Sequence, residues 1–161
     1  MAAERYVAVI GAAQATVRQA ELAEASGRLL ALAGFVLLCG GLGGVMDASC
    51  RGCAAEGGIS IAILPGDDRA VASPHATFAL PTGLGQVRNS VLVHSADAVL
   101  AIGGGWGTLN EIALAVRLVK PLVLLESWKF EPPEGTRAGD VVTAADPGEA
   151  VGAVRRFLGR G

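Results

Sequence analysis

Ala98 to Ile102 is apolar at every position, and Gly103-Gly104-Gly105-Trp106-Gly107-Thr108-Leu109-Asn110-Glu111 follows at once. A short unbroken apolar run suits a strand that is covered on both faces, and a sheet sandwiched between helices covers a strand in that way. Ile112 to Val119 keeps the apolar character over the length of a helix. The chain must therefore pass from a buried strand through a glycine turn into a helix. Glycines there let the backbone approach a ligand closely, and the helix start offers unpaired N–H groups and the positive end of a dipole. An anion such as phosphate is the guest this arrangement suits.

The same unit recurs upstream. Tyr6 to Ile10 is expected as a first strand, Val17 to Leu32 as a helix ended by Gly34, and Phe35 to Cys39 as a second strand. The turn Gly40 to Gly44 opens a helix to about Glu56, and Ile59 to Leu64 is a third strand. Repetition of strand and helix implies right-handed crossovers and a parallel sheet. The expected class is α/β, an open parallel sheet flanked by helices on both faces. Pro65 to Gly85 reads as a polar connection with a short strand at Thr77 to Leu80, followed by a helix from about Gln86 to Ala96. Beyond the strand Ala98 to Ile102, the spacing predicts a helix after Thr108, a strand Pro121 to Leu125, an irregular segment Glu131 to Asp140 and a last helix Pro147 to Leu158.

At 161 residues the chain, 1–161, is expected to form one domain with a substantial core. Thirteen basic and fifteen acidic residues leave a net charge of −2, and aromatic content is 4 %, so neither the charge nor the stacking platforms expected of a nucleic-acid binder are present. The 52 % hydrophobic content and the uncharged stretch Leu29 to Met46 raise a membrane span. Gly34, Gly40, Gly41, Gly43 and Gly44 interrupt that stretch, whereas a span needs about 20 continuous helical residues. Glu4 beside Arg5 and the short run after them do not make a signal peptide, so a cytoplasmic protein without membrane contact is expected. Excess apolar surface in a chain of this size is expected in a subunit interface of a homodimer or higher homo-oligomer.

Two familiar nucleotide motifs fail. Gly41-Leu42-Gly43-Gly44-Val45-Met46 has Met46 where a dinucleotide fingerprint wants its third glycine, and no Gly-Lys-Ser/Thr occurs for a Walker loop. Gly41, Gly43 and Gly44 still follow the second strand, on the sheet edge where open α/β sheets hold ligands, and serve equally as a tight turn or as a ligand wall. Thr108 and Glu111 have the spacing of a capping box, which the spacing alone favours; otherwise Thr108 donates to a phosphate and Glu111 acts as an acid or hydroxyl ligand. Arg88 precedes the apolar turn Val91 to Val93, and its fork of donors suits phosphate, with Asn89 beside it. A surface arginine is the plainer alternative. Cys50 and Cys53 have CxxC spacing, but with Cys39 as the one other cysteine and no histidine at ligand spacing they read as small buried residues, and no metal site is expected.

Taken together, Gly40 to Ala48, Leu64-Pro65-Gly66, Thr82 to Gly85 leading to Arg88-Asn89, and Gly103 to Glu111 resemble the Rossmann-like superfamily of Lonely Guy (LOG) proteins, formerly labelled lysine decarboxylases. The resemblance spans nearly the whole chain and is nearest to the molybdenum cofactor carrier-like branch. LOG enzymes are nucleoside 5′-monophosphate phosphoribohydrolases that release base and ribose 5-phosphate, with a PGGxGTxxE motif. The resemblance implies that Glu111 and Arg88 are the catalytic pair if the chain is an enzyme. It further implies that Gly104, Gly105, Gly107 and Thr108 form the phosphate loop. Gly103 stands where those enzymes carry proline, Asn89 where they carry lysine, and the first arginine of their Arg-x-x-Arg-Lys pattern is missing. The carrier-like branch shares these departures and the Lys120-Pro121 step. Membership there implies binding of a phosphorylated nucleotide or pterin, with molybdenum cofactor as the carried ligand, no required cofactor and no turnover.

Overall fold

The structure, a computed structural model, describes residues 4–135 and 139–159. Seven parallel strands form one sheet in the order β4-β3-β2-β1-β5-β6-β7. They are β1 (Tyr6–Gly11), β2 (Val36–Cys39), β3 (Ser60–Leu64), β4 (Phe78–Pro81), β5 (Ala98–Ile102), β6 (Leu122–Leu125) and β7 (Val141–Ala144). Among the described residues there are five α-helices, four between strands and one after β7: α1 (Val17–Leu32), α2 (Val45–Ala55), α3 (Arg88–Ser95), α4 (Trp106–Arg117) and α5 (Pro147–Phe157). The fold is Rossmann-like α/β, as the alternation of strand and helix predicts.

Alternation within the strands assigns each helix to a face. Val7, Val9, Leu37, Leu100, Ile102 and Val123 point to the layer formed by α1, α2 and α5. Their neighbours Ala8, Ile10, Leu38, Val99 and Leu122 point to the layer of α3 and α4. Period-two side-chain placement accounts for this split, and burial on both sides accounts for the absence of polar alternation in β5. Every residue of β5 is buried, and it pairs with β1 through Val7–Ala98 to Gly11–Ile102 in register.

Several boundaries depart from expectation. β4 lies one residue later than the strand predicted at Thr77 to Leu80, and β7 was not anticipated. β7 is a four-residue edge strand with one buried residue, and its Val141-Val142-Thr143-Ala144 is too short a run for periodicity to mark as a strand. Residues 131–135 and 139–140 are irregular, as expected for Glu131 to Asp140, while residues 136–138 of that segment lie outside the described residues. No helix among the described residues is long and apolar enough to cross a membrane, and the uncharged stretch Leu29 to Met46 is divided among α1, β2 and α2.

α1 and α2 cross at two glycines. A Cβ on Gly27 would collide with the carbonyl oxygen of Ser49, and one on Gly52 with that of Glu24. Each backbone occupies the space a side chain would need, and Arg51 reinforces the contact by donating from Nε and Nη2 to Glu24 Oε2 at 3.1 and 2.9 Å. By helix propensity alone Gly27→Ala gains about 0.5–1 kcal/mol. Overpacking reverses the sign, and the variant is expected to lose about 1–3 kcal/mol in urea denaturation.

Candidate functional site

The order of the strands locates the site. From β1 the chain turns into α1 on one face of the sheet, and from β5 it turns into α4 on the other. These neighbouring strands send their following loops in opposite directions and leave a crevice between them, the topological switch point at which open α/β sheets bind ligands. A cleft of about 370 Å³ opens there. Its walls are Gly11, Ala12 and Ala13 after β1, Leu42 and Met46 before and in α2, Gln86, Arg88 and Asn89 at the start of α3, and Gly105, Gly107, Thr108 and Glu111 of α4.

Of the residues singled out in the sequence, Arg88, Asn89, Gly105, Gly107, Thr108 and Glu111 are brought together in this cleft. Gly41, Gly43 and Gly44 are not part of its lining. A Cβ on Gly41 would strike Ala62 and Leu64 of β3, and one on Gly44 would strike Ala12 and Ala13, so their space is taken by neighbouring chain. Gly40 is the glycine of that turn that touches the site. A Cβ placed on it would lie 2.5 Å from Arg88 Nη1 and 2.8 Å from Nη2, so the guanidinium rests on bare backbone. Gly104 faces a second basin, and its φ of +109° and the crowding of its missing Cβ by Thr108 explain why glycine stands there. The loop Gly11 to Ala13 was missed in the sequence, where its one signal is a glycine at the end of the first strand.

Thr108 and Glu111 do not form a capping box. α4 begins at Trp106 with Gly105 as N-cap and no side-chain cap, which puts Thr108 in the first turn and Glu111 in the second. Both are buried, at 3 % and 7 % exposure, and both face the cleft. Reciprocal capping is found at α1 instead, where Thr16 Oγ1 accepts from Gln19 N and Gln19 Oε1 accepts from Thr16 N, each at 3.1 Å. Without a capping side chain, the first N–H groups of α4 are left to the cleft.

Arg88 is 9 % exposed, so it is not the surface arginine of the plainer reading. Its Nε has no hydrogen-bond partner, nor has the buried Oδ1 of Asn89. No carboxylate among the described residues reaches ion-pair distance of the guanidinium, although Glu111 and the Cys39 thiol act on it electrostatically. Burial lowers the Arg88 pKa from its usual value. Burial also pushes the Glu111 carboxyl up to about 7, with Arg88 drawing it down in part. A buried guanidinium with an unpartnered N–H is costly unless something supplies an acceptor, and an oxyanion is one group that does so.

Cys50 and Cys53 are buried on α2, and Cys50 Sγ lies 3.4 Å from Cys39 Sγ. No group of three or more metal-ligating side chains occurs among the described residues. A larger groove of about 420 Å³ runs between α4 and residues 130–133, but Leu109, Ile112, Ala113 and Val116 dominate it and it lacks convergent polar groups.

Fold and cleft define a Rossmann-like α/β protein with a cleft at its switch point that holds a buried arginine and a buried carboxyl group. The profile of the SLOG cluster4 family matches residues 4–151, and the chain belongs to that family. It is LOG-like and stands close to the molybdenum cofactor carrier branch. An uncharacterized protein of Archaeoglobus fulgidus is 40 % identical over 135 residues, which span 80 % of this chain and 89 % of that one. The molybdenum cofactor binding protein of Rippkaea orientalis superposes with a TM-score of 0.90 at 34 % identity, over 98 % of this chain and 99 % of its own. The molybdenum cofactor carrier protein of Chlamydomonas reinhardtii superposes with a TM-score of 0.87 at 33 % identity, over 98 % and 99 %.

The position of Glu111 has a consequence for stability. Its carboxyl titrates near 7 in the fold against an ordinary value of 4.5. Between those values the folded state holds the proton that the unfolded state has lost, so stability falls as pH rises through this window. The contribution is fully present below about pH 4.5 and lost above about 7, amounting to about 3 kcal/mol. Urea denaturation from pH 5 to 8 is expected to show wild type losing ground to Glu111→Gln by about that amount.

Proposed function

We propose that this protein binds a small phosphorylated ligand, a nucleotide or a pterin, with its phosphate between Arg88 and the start of α4. The observation that carries this reading is the buried Arg88 guanidinium in the cleft, with Nε unpartnered and no carboxylate in ion-pair range, beside the equally unpartnered Asn89 Oδ1. Arg88 supplies charge and a fork of donors, the α4 N–H groups and Thr108 supply more donors, and Gly105 and Gly107 keep side chains out of the way. Asn89 Oδ1 is an acceptor, suited to a ligand hydroxyl or amino group. Molybdenum cofactor, which the Rippkaea and Chlamydomonas proteins are described as binding or carrying, is a phosphorylated pterin of this class. The protein acts as its carrier in the cytoplasm.

A further observation favours a carrier over a hydrolase. Gly103 has a φ of +55°. Proline holds φ near −65°, so the proline of the LOG phosphate motif cannot occupy this backbone, and the turn is built differently from the enzyme motif. The enzyme reading has its own support. A carboxylic acid titrating near neutrality is suited to general acid–base work, and Glu111 faces the cleft beside Arg88. In that reading Arg88 holds a nucleoside monophosphate while Glu111 stabilises the oxocarbenium-like sugar or activates water.

Calorimetric titration with ribose 5-phosphate tests the phosphate site, and Arg88→Gln is expected to weaken binding about tenfold to a hundredfold. Undiminished binding in Arg88→Gln rules the proposal out. The same samples, incubated with nucleoside monophosphates and assayed for free base, separate the two readings. A carrier releases none; release that vanishes in Glu111→Ala establishes the hydrolase.

Exposed apolar side chains support a homodimer. Val87 and Val91 stand one helical turn apart at the start of α3, exposed to 65 % and 38 %, with Leu84 nearby at 47 %. A second copy covering this stripe would shield the α3 wall of the cleft. Sedimentation equilibrium is expected to give a dimer for wild type and a monomer for Val91→Glu.

A further inference from the structure

The Gly103–Gly105 turn has two sides. Gly105 lines the Arg88 cleft, whereas Gly104, its immediate neighbour, lines a second basin of about 350 Å³. Consecutive Cα atoms are about 3.8 Å apart, so a single turn of backbone separates the two spaces. Gln19, Glu126, Ser127, Trp128 and Lys129 complete the second basin.

We propose that this second basin is the subsite for the planar nitrogen heterocycle of a ligand whose phosphate lies beside Arg88, with Trp128 as its stacking surface. The proposal rests on the phosphate-binding reading given above. Four features of the basin argue for it. Trp128 is fixed in place: its Nε1 donates to Gly105 O at 3.2 Å, and Trp106 backs it with ring centroids 5.3 Å apart. Ser127 Oγ donates to Gly103 O at 2.6 Å, so two successive side chains fasten the turn that divides the basins. Glu126 adopts a φ of +47°, rare for a residue with a side chain, and such conformations gather at ligand sites. Arg18 Nε and Nη2 both donate to Glu126 Oε1, at 3.1 and 2.9 Å, which leaves Oε2 as an acceptor at the basin rim.

The remaining polar groups are donors. Gln19 uses Oε1 to accept from Thr16 N, and its Nε2 lies against Gly103 with no acceptor among the described residues. Lys129 has no ion-pair partner among the described residues. A basin lined by one indole, one free acceptor and two donors matches a ring that carries ring or amino N–H groups next to carbonyl oxygens or ring nitrogens. Purines and pterins share that chemistry.

Trp106 and Trp128 are the two tryptophans of the chain, so indole fluorescence reports on this place directly. The full chain is titrated with ribose 5-phosphate, guanosine 5′-monophosphate and 6-hydroxymethylpterin phosphate by calorimetry, with fluorescence recorded in parallel. A ring-bearing compound is expected to bind about tenfold more tightly than ribose 5-phosphate and to quench the indoles, whichever of purine or pterin it is. Trp128→Leu should abolish the preference for the ring-bearing compound over ribose 5-phosphate, and Trp128→Phe, which equally lacks the Nε1–H that bonds Gly105 O, should retain most of that preference. Equal affinity for all three compounds overturns the subsite and leaves the phosphate site standing. Ring compounds that bind with the same affinity to wild type and Arg88→Gln overturn the phosphate site and, with it, the subsite. Failure of all three to bind overturns both. If Trp128→Leu does not fold, Trp106→Leu, at a position 79 % exposed, must still lower the ring preference at least about threefold, and an unchanged preference overturns the proposal.

Discussion

The reversal of strand order between β1 and β5 is the constraint on which the site depends. Every strand runs parallel, so every loop that leaves a C-terminal strand end opens on the same edge of the sheet. Only where the chain changes direction across the sheet do adjacent loops go to opposite faces, and the gap they leave is filled by neither. Everything that gives the cleft its chemistry arrives there for this reason: α4 begins there, α3 returns over β3 and β1 to reach β5, and the turn after β2 meets Arg88 at Gly40.

Within that gap the electrostatics are set by burial more than by pairing. Arg88 and Glu111 influence each other without an ion pair, and burial acts against the charge of both. A tight salt bridge would have used up the guanidinium donors. Holding the carboxyl partly protonated near neutral pH keeps the site net positive, which is the condition an anionic ligand needs. The same residues thus serve binding in one reading and proton transfer in the other.

What could be read in the sequence was what depends on local patterning. α1 and β5 have the bounds expected for them, since each is long or uniformly apolar and is closed by glycine. The meeting of Arg88, Thr108 and Glu111 came from the resemblance and not from spacing, which favoured a cap for one pair and a surface place for the arginine. α4 starts at Trp106 because the tertiary turn at Gly103 and Gly104 sets its direction, and a glycine N-cap leaves no capping side chain to recognise. β7 is hard to read because four residues, Val141 to Ala144, are too few to set a period, and Gly11 to Ala13 because small residues carry no chemistry until the fold places them.

The glycine crossing of α1 and α2 has a mechanical consequence for the cleft. Two helices whose backbones touch at Gly27 and Gly52 cannot slide or tilt independently. The loop after β1 and the turn before α2 belong to this block, and Val45 N donating to Ala12 O at 3.1 Å joins them directly. The opposite wall is α3, an eight-residue helix entered through a 3-10 turn at Gly85–Val87 from the long polar connection. One wall of the cleft is thus braced by a helix pair locked at its crossing, and the other is a single short helix held to the sheet by Leu92 and Val93.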